Sequence, residues 1–178
     1  MEDRRAGVGV EGSRAGHEAE APFPLEVLRQ QFPEEILETC LSQGDAVAAV
    51  RRESLLKILE FLKSDARFHF DMLADITAVD YMGRTPRFDV VYHLISLPLK
   101  HRLRIKVPVE EDDAVVPSAT PLWNSANWLE REVWDMFGIR FSGHPDLKRI
   151  LMYEGFQGHP LRKDYPIRRR QPQIGPKN

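Results

Sequence analysis

Residues 101–109 read His-Arg-Leu-Arg-Ile-Lys-Val-Pro-Val, so Leu103, Ile105, Val107 and Val109 alternate with Arg102, Arg104 and Lys106. A period of two places the aliphatic side chains on one face of an extended strand and the cations on the other. A strand of this kind does not suit a sheet buried on both faces. It requires a sheet with one face on a core and the other in water. Phe88, Val90, Tyr92 and Leu94 repeat the period and predict a second strand over 87–96. A third is predicted over 75–81, with turns at 83–86 and around Pro98.

Helical spacing surrounds these strands. Leu25, Leu28 and Phe32 predict a short helix that Pro24 opens and Pro33 stops. Leu55, Leu56, Leu59 and Leu62 predict an amphipathic helix over 53–64. Between them Gln43-Gly44-Asp45 predicts a hairpin joining 36–41 to 46–50. Thr120 as N-cap, Pro121 in the first turn and Gly138 as C-cap predict a helix over 121–137. Its apolar residues, from Leu122 and Trp123 to Trp134 and Phe137, wrap more than half its circumference, so it is expected to contact two surfaces.

After Arg140 the pattern breaks. Pro145, Gly155, Gly158, Pro160 and Pro166 interrupt every element, yet Leu147, Ile150, Leu151, Tyr153, Phe156, Leu161 and Tyr165 persist. A segment this broken has no core of its own, and one this apolar does not float free. Its expected state is extended against another surface. Residues 148–178 carry a net +6 against −8 for the remainder, which suggests an acidic or phosphate-bearing partner for this stretch. The expected organisation is a flexible leader over 1–22, an α+β domain over 24–140 and an extended basic docking tail over 141–178. The fold class is α+β, a small mixed or antiparallel sheet with helices packed on it.

Composition removes several functions. The single cysteine, Cys40, rules out an internal disulfide and a thiolate cluster, and reads as a small buried hydrophobe in its strand. The chain has no G-x-G-x-x-G, Walker loop or G-x-S-x-G elbow, so neither phosphate cradle nor that serine nucleophile is present. Glu130, Glu132 and Asp135 with His144 and His159 offer metal-ligating atoms, but no histidine shares the helix with the carboxylates. The plainer reading is a charged helix face, solvated or partner-facing, with Arg131 reaching Asp135 one turn on. Arg168-Arg169-Arg170 is too short a run to argue for nucleic acid. Residues 1–22 have neither an apolar signal core nor the acid-poor composition of a transit peptide, and the chain is expected to stay in the cytosol as made. The residues thus describe an interaction protein or one component of a larger assembly, without naming the partner.

A longer pattern goes further. Residues 130–139 read Glu-Arg-Glu-Val-Trp-Asp-Met-Phe-Gly-Ile, residues 143–151 Gly-His-Pro-Asp-Leu-Lys-Arg-Ile-Leu, and residues 158–166 Gly-His-Pro-Leu-Arg-Lys-Asp-Tyr-Pro. Together with Asp75-Ile76-Thr77-Ala78-Val79-Asp80-Tyr81, this resembles the C subunit of the bacterial proton-pumping NADH-quinone oxidoreductases, the counterpart of the thirty-kilodalton subunit of mitochondrial complex I. The resemblance spans roughly residues 24–172. The plastid form usually has an aromatic at the position of His159, which favours the bacterial type.

The resemblance implies a non-catalytic assembly component of the hydrophilic arm, peripheral on the cytoplasmic side of the inner membrane. It implies no catalytic, cofactor-binding or metal-binding residue in this chain, with FMN, Fe–S clusters and quinone held by other subunits. The D subunit, which helps form the quinone pocket, and the B subunit are the implied neighbours, with no nucleic acid and membrane contact only through the complex. On this basis Glu130, Arg131, Glu132, Trp134, Asp135, Phe137, His144, Arg149, His159, Arg162, Lys163, Asp164 and Tyr165 are the expected partner interface. The same scaffold also serves energy-converting hydrogenases and other donor-dependent quinone oxidoreductases, which is the alternative.

Overall fold

A computed structural model describes residues 24–168 and 170–171. The alternating segments form one mixed five-stranded sheet in the order β1-β2-β5-β4-β3. Its strands are β1 (Ile36–Ser42), β2 (Asp45–Val50), β3 (Met72–Asp80), β4 (Phe88–Ser96) and β5 (His101–Val109). All neighbours are antiparallel except β2 and β5, which run parallel with Ala46 beside Leu103 and Ala48 beside Ile105. The long return from β2 to β5 carries α2 (Leu55–Ser64), β3 and β4. The expected hairpin exists, and Gln43 (φ 53°) and Gly44 (φ 89°) are both left-handed, as a two-residue turn matching strand twist requires.

Register sorts the side chains as the alternation demands. Leu103, Ile105, Val107 and Val109 pair with Leu94, Tyr92, Val90 and Phe88, and all are buried in one core. On β3, Leu73, Ile76, Ala78 and Asp80 continue that face. Three helices cover it: α1 (Leu25–Gln31) through Leu25 and Leu28, α2 through Leu55, Ile58, Leu59 and Leu62, and α3 (Ala126–Phe137) through Ala126, Val133, Met136 and Phe137. The opposite face carries Val47 and Ala49, Arg102, Arg104 and Lys106, and Asp89, Val91 and His93. A parallel pair, β6 (Val115–Pro117) and β7 (Arg140–Ser142), brackets α3.

Three expectations need correction. The last helix starts at Ala126, not Pro121. The Leu122 and Trp123 amides both bond to the Ala119 carbonyl, closing an isolated turn. The Trp123 indole N–H is drawn instead to the Asp71 carbonyl (3.1 Å), and Lys63 donates to the Leu122 carbonyl. These tertiary anchors hold 121–125 off the helix axis, and Thr120 bonds to Ser118 rather than capping. Cys40 is exposed, because β1 is an edge strand that buries little of either face. The third strand begins at Met72, and a bulge between Leu73 and Asp75 resets its phase, which hides Met72–Ala74 from a pattern of period two. No helix among the described residues is long and apolar enough to cross a membrane.

Candidate functional site: a clasped tail

The signature residues gather where α3 meets the chain that follows it. Helical spacing gives α3 two working faces. Ala126, Glu130, Val133 and Phe137 point into the body, while Arg131, Trp134 and Asp135 meet residues 148–159. The two-surface expectation for this helix therefore holds inside a single chain.

Asp135 is the centre of the first clasp. Its side chain is completely buried, and its Oδ2 accepts the backbone N–H groups of Ile150 (3.1 Å), Leu151 (2.9 Å) and Met152 (2.8 Å). Its Oδ1 accepts from the Arg149 guanidinium at 2.5 Å. Burial alone would push this carboxyl up, but the three amides and Arg149 hold it below the usual carboxylate range, so it stays ionised. Arg149 also donates to the Gly158 carbonyl and lies 5.7 Å from the ring centres of both Trp134 and Phe156. Arg131 donates to the carbonyls of Lys148 and Arg149. The expected Arg131–Asp135 pair along the helix does not form, because both side chains are committed to the backbone of the following segment.

Two histidines lock the same segment. His144 Nδ1 accepts the Asp146 N–H, which fixes the proton on Nε2, and Nε2 donates to the Asn127 carbonyl (3.0 Å). His159 Nδ1 donates to the Asp135 carbonyl (3.0 Å), and the Leu161 N–H donates to the Met136 carbonyl. The His159 ring lies so close to Gly138 that a Cβ there would stand 2.7 Å from it. Gly138, at φ 81°, is the left-handed C-cap the sequence predicts.

The second clasp is built on Arg87, which sequence reasoning missed. Its guanidinium grips Asp80 through Nε (2.9 Å) and Nη2 (2.8 Å), and through Nη1 reaches Glu111 (2.7 Å) and Asp164 (3.1 Å). Arg162 adds a bond to Glu111, and the Lys163 backbone N–H donates to Asp80 at 2.8 Å. Arg87 holds Asp80 and Asp164 below the ordinary carboxylate range, and they hold its guanidinium firmly charged. The available signal was Asp80, a charge in phase with the core residues Ile76 and Ala78. A buried carboxylate there needs a cation, and Arg87 faces it across the hairpin.

Glu130 makes a third buried contact. It is fully sealed from water, and accepts from the Ser118 hydroxyl (2.7 Å) and the Ala119 N–H (2.6 Å). Burial lifts its pKa to about 7 in spite of these two donors. Glu130 and Asp135 therefore present no atom to a partner, and neither belongs to a solvated charged face. The Arg162 and Asp164 charges are likewise engaged within the chain. The residues of the expected interface that keep exposed surface are chiefly Glu132, Lys163 and Asp164, with Arg131, Trp134, His144, Arg149, His159, Arg162 and Tyr165 half-buried and Phe137 in the core. Outside the clasps project Leu151, Leu161 and Ile167, which are 55%, 55% and 100% exposed. No group of three or more metal-ligating side chains converges among the described residues.

Comparison with known proteins gives the arrangement its family. The sequence model for the 30 kDa subunit of respiratory-chain NADH dehydrogenase matches residues 48–171. The C subunit of NADH-quinone oxidoreductase from Trichlorobacter lovleyi is 54% identical over 144 residues, covering 80% of this chain and 88% of the relative. The C subunit of the same enzyme from Citrifermentans bemidjiense is 51% identical over 79% of this chain and 86% of its own length. Among solved structures, a trypsin-resistant fragment of Nqo5 superposes with a TM-score of 0.62 at 38% identity, covering 69% of this chain and 96% of the fragment. A chain of an archaeal membrane-bound sulfane sulfur reductase shares the fold, with a TM-score of 0.65 at 24% identity over 80% of this chain and 84% of its own. The clasped α+β chain thus belongs to the family of the respiratory-chain NADH dehydrogenase 30 kDa subunit, which the bacterial relatives carry as the C subunit of NADH-quinone oxidoreductase.

Proposed function

We propose that the chain is a non-catalytic scaffold of the hydrophilic arm of a proton-translocating NADH-quinone oxidoreductase, docked on the D subunit that carries the quinone site, with the B subunit nearby. It sits peripherally on the cytoplasmic side of the inner membrane, and FMN, Fe–S clusters and quinone belong to other subunits. The observation that carries this reading is the division of labour in the tail. Its signature charges are spent on Asp80, Arg87 and Asp135 within the chain, while Leu151, Leu161 and Ile167 are held outward. Exposed aliphatic side chains on a charge-fixed backbone are a preorganised contact surface. Lys163 and Arg168 flank them with exposed cations, Glu132 and Trp134 extend the surface onto α3, and the stacked Phe156 and Tyr165 rings stiffen it.

The trypsin-resistant fragment of the Nqo5 relative supports a body that stands by itself, since it aligns over nearly all of its own length. The test uses Leu161→Asp with Ile167→Asp. The isolated variant should keep its far-UV dichroism, because neither side chain is buried. On a native gel of membranes from cells expressing it, the variant should be missing from the assembled enzyme, with quinone reductase activity falling in step with assembly. Normal assembly of the double variant would refute the tail as the docking element.

A further inference from the structure

The sheet face turned away from the three helices takes no part in either clasp. Along β5 it presents Arg102, Arg104 and Lys106 in a row, flanked in register by Val47 and Ala49 on β2 and by Val91, His93 and Ile95 on β4. The aliphatic stems of Arg104 and Lys106 lie beside Val47 and Val91, which are buried although no helix covers this side. Carboxylates share the face. Asp89 is held by Arg84, Asp45 lies 3.6 Å from Arg104, Asp75 sits opposite His93 and Glu38 lies on β1. The Arg102 and Lys106 side chains make no hydrogen bond or ion pair among the described residues, and the Arg104 Nε is buried with no acceptor. A depression opens at each end of the cationic row. One, of about 320 Å³, lies among His93, Ile95, Arg102 and Arg104, with Asp45 and Asp75 at its wall. The other, of about 290 Å³, lies among Ala49, Tyr81, Lys106 and Pro108, with Glu38 and Asp89 at its wall.

We propose that this helix-free face is a second docking surface, occupied by a segment of another protein of the complex that carries carboxylates between apolar side chains. It rests on the reading of the chain as part of a multi-subunit assembly, and is separate from the tail. Charge complementarity selects the occupant: along β5 the groups unpaired among the described residues, Arg102 and Lys106, are both cationic donors in one row with Arg104, whereas the unpaired carboxylates Asp75 and Glu38 lie off that row on β3 and β1. One carboxylate accepts from the Arg102 guanidinium, a second pairs with Lys106, and the apolar side chains beside them fill the hollows. Neutral His93, whose pKa burial and Arg104 push down, adds no repulsion to a cation-lined groove and does not compete for the carboxylate.

The experiment compares the full chain alone with the purified complex containing it. Amine acetylation of Lys106, normalised to the exposed Lys57, should slow about tenfold or more in the complex, as expected where an interface core excludes solvent. Carbodiimide, which joins a lysine amine to a touching carboxylate, should link Lys106 to an Asp or Glu of a different protein in the complex. Equal labelling in the two states overturns the proposal. So does a link from Lys106 to residues 1–23 of this chain, which would make the chain's own leader the occupant. A chain that does not co-purify with the complex at all removes the assembly reading and this proposal together, whereas co-purification with Lys106 still accessible removes this proposal alone. Arg102→Glu with Lys106→Glu should fold normally and lower the fraction of chain in the complex.

Discussion

Glu130 and Asp135 are both on α3 and both sealed from water, yet their protons behave oppositely. Asp135 meets three amides and a guanidinium, enough to keep its charge. Glu130 meets one hydroxyl and one amide, and burial wins, lifting its pKa to about 7. A carboxyl raised on folding stabilises the native state most below its unfolded pKa. That contribution is lost as pH climbs through the folded value. Glu130 should therefore cost stability between about pH 4.5 and pH 7.5, by an amount on the order of 2–3 kcal/mol. Glu130→Gln keeps an oxygen for the Ala119 N–H and cannot ionise. Urea melts across that range should show the wild type weakening relative to Glu130→Gln as pH rises. A pH-independent difference between the two proteins would mean that Glu130 does not titrate on this scale.

The elements were legible in the sequence to the extent that one local rule governed each. The alternations of β4 and β5, the Gln43-Gly44 turn, the α2 stripe and the Gly138 cap all follow from period or dihedral preference, and all are present. What failed was decided at long range. Residues 121–125 carry good helix-start signals but are held by Asp71 and Lys63, far away in the chain. The parallel partnership of β2 with β5 has no local signature. The carboxylates of α3 read as surface charge because the amides that bury Asp135 belong to a segment with no regular structure. Gly138 lets the cap be tested separately from the packing around it. Ala at this position faces both φ 81° and the His159 ring, whereas Gly44, at φ 89°, has no atom within 4 Å of an added Cβ. Gly44→Ala should cost about 1 kcal/mol from conformation alone, and Gly138→Ala about 1–2 kcal/mol more. The excess should vanish in a His159→Ala background, as measured by a denaturation double-mutant cycle.

At the scale of the whole molecule, the expected boundary after Arg140 falls inside β7, whose Phe141 is a core residue. A body that folds alone must therefore end at Ser142 or later. Removing residues 143–178 uncovers Asp135 to water instead of stranding it, since the tail itself supplies the cover. The truncated body should keep its near-UV dichroism and melt several degrees lower, consistent with losing a few kcal/mol of clasp. It should be absent from the assembled complex on a native gel. Loss of cooperative melting would show that body and tail form one folding unit.

Arg87 has a consequence for a chain made from its N-terminus onward. Its carboxylates lie 7 residues before it at Asp80, 24 residues after it at Glu111, and 77 residues after it at Asp164. Domains fold as their residues leave the ribosome. The guanidinium can thus be neutralised by Asp80 within the β3–β4 hairpin, and by Glu111 before the last helix has been made. Asp164 comes too late to be needed for burying this charge, and arrives as a latch on a body already closed. A nascent chain whose residues up to 142 have left the ribosome would therefore be compact rather than a charged, half-collapsed intermediate exposed to proteolysis, and the tail would be the last part of the protein to acquire its place.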